Sequence, residues 1–421
     1  MRILWVKAGG IVPADTGGRI RSLHILKELA RRHSVTIFTY YAEHFGDQHR
    51  GVDQAGELRG FADVVAIPIA LPRERTSRDY LSYARTLLSS EPCSMQVIGG
   101  ESGGRLRYFD STDIRRRLGS LIAGGNFDVL ICDFIYPAGL IDWTLPCPKI
   151  LFTHNVEAQL WKQQFESAHQ PLKKFLYWRE WRALSEAERG YARKADHVVT
   201  VSEQNRAFFA NFVNPARVST IATGVDIDFF QPADCAPSHS MVFTGSMDWM
   251  PNQHGILFFA SEILPHIHTE VPDADLWIVG RYPSREILQL AGPRIHVTGR
   301  VDDIRPFLER STVYIVPLRS GSGTRIKIFE AMAMGKAVVS TALGAEGLPV
   351  THGQNILIAD DSREFARSVV RILRDRELAA RLGRNARALV EKQFAWKTAA
   401  SQFETILQET AGKPVIARKT A

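Results

Sequence analysis

The sequence predicts an α/β protein of two Rossmann-like domains facing across a cleft, with a C-terminal helix crossing back to the first domain. Three observations predict it. Short apolar, β-branched runs alternate with longer helical patterns almost throughout, as βα units and parallel sheets require. The 421 residues are too many for one ordinary core. A polar, proline-bearing stretch at 229–240, with Gln231-Pro232-Ala233-Asp234 and Pro237-Ser238, reads as a linker.

The expected strands fall in two sets. The first holds the runs 2–6, 35–39, 63–69, 128–132, 149–152 and 197–201; the second holds 241–244, 275–279, 295–298, 313–317, 337–340 and 355–358. The expected domains are 1–230 and 238–394, with the helix at about 395–410 joining the first. The tail 412–421 reads as loose. The opening Met1-Arg2-Ile3-Leu4-Trp5-Val6-Lys7 is too short and too charged for a signal peptide and reads as a first strand. No apolar run reaches the ~18 residues that span a bilayer.

Apolar residues make up 45% and charged residues 23% of the chain, which excludes a disordered protein. Cys93, Cys132, Cys147 and Cys235 share no metal spacing and read as reduced thiols of a cytosolic protein. The net charge of +7 suits acidic partners, namely nucleotides or anionic lipid. Nucleic acid is not expected, because the basic residues are scattered and no nucleic-acid motif is visible.

The richest segment is Gly321-Ser322-Gly323-Thr324-Arg325-Ile326-Lys327-Ile328-Phe329-Glu330, after the run at 313–317. It reads as strand end, glycine loop and helix. Gly321 and Gly323 let the backbone turn closely around a ligand. Arg325 and Lys327 stand in the helix's first turn, where the helix dipole disfavours cations. That misfit predicts a bound anion. Free amides, dipole and two cations together suit a diphosphate. Glu330, one turn after Lys327, is placed to accept from hydroxyls such as those of a ribose. The loop is not a phosphate loop of the Walker type, because no Gly-Lys-Ser/Thr follows.

In a two-Rossmann architecture the ligand lies beyond the C-terminal strand ends. Several marked residues stand there: Thr16-Gly17-Gly18-Arg19 opening a helix with Arg21 and Ser22, Thr153-His154-Asn155-Val156-Glu157, Gly245-Ser246-Met247-Asp248, Gly280-Arg281 and Gly299-Arg300-Val301. Asp226-x-Asp228 and Asp273-x-Asp275 imitate metal motifs but stand by the linker and across a strand start. No metal site and no cofactor is expected.

These residues resemble the retaining nucleotide-sugar glycosyltransferases of glycosyltransferase family 4, which have the GT-B fold. The resemblance runs through most of the chain. Its residues are Gly245-Ser246-Met247, Ile278-Val279-Gly280, Val297-Thr298-Gly299, Glu330-Ala331-Met332-Ala333 with Gly335, Val338-Val339, Phe394-Ala395-Trp396 and Gly224-Val225-Asp226. His154-Asn155-Val156-Glu157 resembles a subgroup found in polysaccharide gene sets.

The resemblance implies transfer of a sugar from a nucleoside diphosphate to an acceptor hydroxyl, with retention, in polysaccharide or glycoconjugate biosynthesis; with two cations and a helix terminus for the diphosphate, turnover is expected to need no metal. Glu330 would match the second Glu of the family's Glu-x7-Glu motif, holding the ribose; the first falls at Ser322. Many members carry an Arg and a Lys soon after the second domain's first strand. Here that stretch has neither, and Arg325 and Lys327 are placed to replace them. The implied donor residues are Gly17, Gly18, Gly245, Ser246, Arg300, Val301, Gly321, Ser322, Gly323, Thr324 and Glu330. His154, Arg325 and Lys327 are the catalytic candidates. His154 would donate to the donor sugar or orient backbone carbonyls near the anomeric carbon; otherwise it is a capped loop histidine. Asp133 and Asn155 are acceptor-side candidates, with a structural cap the alternative for Asp133.

The partners implied are a nucleotide-sugar donor and a glycan or lipid-linked acceptor. Residues 161–194, rich in Lys, Arg, Trp and Tyr, read as a peripheral membrane contact or as a packed helical excursion. The expected location is cytoplasmic, with the inner membrane face as a peripheral site. Two other readings stay open: a sugar-nucleotide epimerase of the same fold, and a nucleotide-sugar-binding protein without catalysis. A nicotinamide dehydrogenase is disfavoured, because no Gly-x-Gly-x-x-Gly follows a strand.

Overall fold

The computed structural model describes residues 1–14, 16–42, 55–69, 91–95, 97–98, 107–108, 111–233, 238–320 and 326–412. The chain divides into two compact units, Met1–Ala222 with Ala400–Ala421, and Thr223–Ala399.

In the first unit the strands are β1 (Arg2–Ala8), β2 (Ser34–Ala42), β3 (Asp63–Ile69), β4 (Val97–Ile98), β5 (Arg107–Tyr108), β6 (Val129–Asp133), β7 (Lys149–Phe152), β8 (His197–Thr200) and β9 (Val218–Thr220). Seven form one sheet in the order β3-β2-β1-β6-β7-β8-β9, parallel throughout. β4 and β5 form a separate antiparallel pair. β6, β7 and β8 are buried at every position, which is why they are continuous apolar runs and not alternating ones. Leu4, Val6, Leu130, Leu151 and Val198 share one core cluster. Trp5 and Phe152 instead pack with Phe403, with ring centroids 5.2–5.9 Å apart. Phe403 belongs to the terminal helix Trp396–Ala411, whose later residues thus complete the first unit's core.

The second unit carries β10 (Ser240–Thr244), β11 (Asp275–Val279), β12 (Ile295–Gly299), β13 (Val313–Val316), β14 (Ala337–Ser340) and β15 (Leu357–Ile358). They form a parallel sheet in the order β12-β11-β10-β13-β14-β15. Its core joins Phe243, Ile278 and Ile315 to Phe259, Phe365 and Leu382 of the covering helices. Each sheet reverses its strand order once, between β1 and β6 and between β10 and β13. Ligands of open parallel sheets bind beyond the C-terminal strand ends at such points.

The division falls at Ala222, ahead of the expected boundary at 230. The residues between belong to the second unit because they are bonded into it. The Val225 amide donates to the Phe394 carbonyl at 2.7 Å, and Arg387 donates to the carbonyls of Ile227 and Phe230 at 3.1 and 2.6 Å. The Arg305 guanidinium lies 3.8 Å from the Phe229 ring centroid.

Among the described residues no helix is long and apolar enough to cross a membrane. No group of three or more His, Cys, Asp or Glu is placed to hold a metal among them. Cys93, Cys132 and Cys147 are free thiols; Cys235 lies outside the described residues.

Candidate active site

The switch point of the first sheet is closed by a buried ionic cluster. Lys7, next to last in β1, stands beside Asp133, its register partner on β6, and its ammonium lies 3.1 Å from Asp133 Oδ2. That oxygen also accepts from Trp5 Nε1 at 2.8 Å and Ser22 Oγ at 2.6 Å. His154, in the loop after β7, places Nε2 2.7 Å from Asp133 Oδ1, and Arg21 Nη1 lies 2.9 Å from His154 Nδ1. Arginine only donates, so Nδ1 accepts and Nε2 carries the proton given to Asp133. The imidazole is therefore neutral, in one tautomer.

The electrostatics agree. Burial pushes His154 down to about 3 against the pull of Asp133. Burial lowers Arg21 to about 9, with Asp133 opposing, so it stays charged at neutral pH. Burial would raise Asp133, but Lys7 above all, with His154 and Ser22, holds its carboxyl well below the usual range.

Helix Gly17–Ala30 opens beside this cluster, and Thr16 supplies no side-chain cap. Phe134, the residue after β6, has φ +69°. Its ring stacks on His154 at 4.1 Å between centroids. A Cβ at Gly18 would lie 2.8 Å from that ring, so any larger side chain must displace it.

The second unit carries a cluster of its own at its switch point. Gly245 and Ser246 follow β10. Lys327, in helix Ile326–Ala333, donates from Nζ to Asn252 Oδ1 at 2.7 Å and lies 4.1 Å from the Phe243 ring centroid. A Cβ at Gly245 would stand 2.9 Å from Lys327 Nζ, so glycine admits the ammonium to the strand end. Ser246 Oγ accepts from Arg281 Nε at 3.0 Å, and its carbonyl accepts from Asn252 Nδ2 at 2.8 Å. Two cations from different elements thus flank Gly245-Ser246. Glu330, one turn after Lys327, is half-buried. Burial raises its carboxyl to about 7, with Lys327 opposing.

The expected site residues separate into groups. Lys327, Gly245, Ser246 and Glu330 come together at the second switch point; Gly17, Gly18 and His154 stand at the first. Arg300 and Val301 follow the edge strand β12, and Arg300 is exposed. Gly321, Ser322, Gly323, Thr324 and Arg325 lie outside the described residues. Two readings need correction. His154 is not a free donor, because both ring nitrogens are engaged and the residue is 4% exposed. Asp133 does not face an acceptor: it is 0% exposed and serves as the hub of the cluster. Asn155 stays half-buried in the loop after β7.

Sequence reasoning gave Lys7 no role at the site. The only signal was a lysine ending an apolar run, and its value depends on β1 pairing with β6. Arg281 was visible as the second residue after β11, but its reach to Ser246 was not.

Residues 97–229 match the family described as Glycosyltransferase Family 4, and residues 238–375 match that described as Glycosyl transferases group 1. The chain is 23% identical over 306 residues to an uncharacterized 44.6 kDa protein in the cps region of Klebsiella pneumoniae, covering 70% of this chain and 77% of that protein. It is 27% identical over 204 residues to the phosphatidyl-myo-inositol mannosyltransferase of Mycolicibacterium smegmatis, covering 46% of this chain and 52% of that one. Among solved structures, Anabaena Alr3699/HepE in complex with UDP and glucose matches with a TM-score of 0.63 at 15% identity, covering 97% of this chain and 99% of that one. That likeness is one of fold.

Proposed function

The two matched segments make this a family 4-like glycosyltransferase of the GT-B fold, and we propose that it moves a sugar from a nucleoside diphosphate to an acceptor hydroxyl with retention. One observation carries the reading: the Lys327 ammonium beside Gly245 and Asn252, at the C-terminal end of β10. A diphosphate there meets Lys327 and, across Ser246, Arg281. Arg325 precedes the same helix in sequence and is assigned to the same anion. The UDP of the Anabaena structure and the mannosyltransferase among the relatives favour a nucleotide-sugar donor.

In the proposed reaction the bond from the anomeric carbon to the phosphate oxygen breaks first, giving an oxocarbenium-like transition state. The acceptor oxygen attacks from the same side. Its proton passes to the leaving phosphate oxygen, and nucleoside diphosphate departs. Charge grows on the diphosphate, so preorganised cations there lower the barrier most. They also supply the charge that a divalent metal would, so turnover is expected without one. Glu330 accepts from the ribose hydroxyls. His154 is a positioning residue: its two hydrogen bonds fix the loop after β7 and aim that loop's backbone groups.

The acceptor is assigned as a glycan or lipid-linked hydroxyl, by likeness to a relative named for a lipid acceptor. The epimerase reading is less favoured, since His154, neutral and with both ring nitrogens bonded, is not free for acid–base work on a sugar.

Slow donor hydrolysis tests the reading without knowledge of the acceptor. The purified chain, given nucleotide sugars, should release nucleoside diphosphate from at least one. Proton NMR at early times should show the free sugar in the donor's own anomeric form. The inverted anomer would overturn retention; no release from any donor would leave the non-catalytic reading standing.

A further inference from the structure

A helical hairpin leaves the first sheet beside the buried cluster. Helix Glu157–Ser167 starts three residues after His154, at the C-terminal end of β7, and helix Pro171–Lys194 returns from the turn to the start of β8. The base is pinned. Glu188 accepts from the amides of Glu157 and Ala158 at 2.7 and 3.3 Å, capping the outgoing helix. The arms pack through Trp161 on Tyr177 and Phe165 on Trp181, at 5.7 and 5.8 Å between centroids. From Glu188 back to Pro171 the returning helix covers about 25 Å at 1.5 Å per residue. The tip therefore stands well clear of the capped base.

The tip has an unusual composition. Leu172, Phe175 and Trp178, spaced by three, share one face and are 71%, 56% and 42% exposed. Lys173 and Lys174 flank them and are exposed. No Asp or Glu occurs between Glu166 and Glu180. A hollow of about 270 Å³ beside the turn is lined by Gln164, His169, Gln170, Lys173 and Tyr177, which are donors suited to a phosphate. Large apolar side chains left in water beside cations, with no anion among them, complement an interface that is apolar inside and negative at its surface.

We propose that this tip docks on an anionic lipid bilayer, with Leu172, Phe175 and Trp178 entering the acyl boundary and Lys173 and Lys174 on the head groups. The hairpin rises from the same end of the sheet as His154, so docking holds the site's edge toward the membrane surface. The proposal does not depend on the transfer reaction.

Vesicle flotation with the full chain tests it, using phosphatidylcholine alone and phosphatidylcholine mixed with phosphatidylglycerol. The wild-type chain should float only with the mixed vesicles, and less so at high salt. The variant Leu172→Ser/Phe175→Ser/Trp178→Ser, and separately Lys173→Glu/Lys174→Glu, should each weaken partitioning by at least about tenfold. Hydrolysis of a soluble donor should be unchanged in both, because neither touches the Lys327 site. Undiminished flotation of both variants would overturn the proposal. So would a wild-type chain that ignores both vesicles. Concentration-dependent dimerisation lost in the serine variant would also overturn it, assigning the face to a second copy of the chain.

Discussion

The imidazole of His154 has no nitrogen left for a substrate, since Arg21 occupies Nδ1 and Asp133 takes the Nε2 proton. With its folded-state value near 3 and an unfolded value near 6.5, the ring resists protonation only in the folded chain. Its contribution to stability is complete above about pH 6.5 and is lost as the pH falls below that. Nitrogen-15 NMR of labelled histidine should find this ring neutral and protonated at Nε2 from pH 8 down to 5. A titration near 6.5 would contradict the cluster. Glu330 shifts the other way. Its folded carboxyl holds a proton up to about 7 against an ordinary 4.5, so its ionisation costs stability as the pH rises through that window. Ribose hydroxyls donating to it favour the ionised form. Donor binding should therefore release a proton near neutrality and weaken as the pH falls below about 7. Calorimetry of a nucleotide sugar in buffers of different ionisation enthalpy reads that proton, and equal heats in all buffers would remove Glu330 from the ribose.

At the scale of elements, glycine and strand ends set the geometry. Ala in place of Gly18 brings up to about 1 kcal/mol of helix propensity. It also drives a methyl to 2.8 Å from the Phe134 ring, which His154 backs and prevents from yielding. Such overpacking costs about 1–3 kcal/mol, so the steric cost wins. Gly18→Ala should destabilise the first unit by about 1–2 kcal/mol in urea unfolding; a more stable variant would mean the ring is free to move. Each apolar run read from the sequence is a strand; the central ones, such as β6, β7, β8, β10, β13 and β14, are buried at every position and so continuously apolar. β9 was missed: Val218–Thr220 has only three residues, too few to form a pattern. Gly18 was read as a donor contact, since its constraint comes from Phe134 on another strand's end. Lys7 and Asp133 lie 126 residues apart by the register of β1 on β6, and no local spacing encodes such a pair. Lys327 and Glu330 were legible because one helix turn carries both.

At the scale of the molecule, the two parallel sheets were legible from alternation alone, and the joint was not placed. Proline and polarity marked 229–240, but Arg387 and Phe394 bind 225–230 into the second unit. A linker's composition does not reveal which neighbour its flanks are bonded to. The central claim concerns that second unit: a diphosphate lies between Lys327 and Arg281 at the end of β10. A charged hydrogen bond to such a group is worth about 1.5–3 kcal/mol, or about 10- to 150-fold in affinity. The most direct measurement is nucleoside diphosphate affinity, by calorimetry or thermal shift, in the wild-type chain, Lys327→Ala and Arg281→Ala, with the matching nucleosides beside it. The account predicts that the best diphosphate binds each variant about 10- to 150-fold more weakly, while the nucleoside binds all three alike. Diphosphate affinity equal to wild type in both variants would place the anion elsewhere and contradict it.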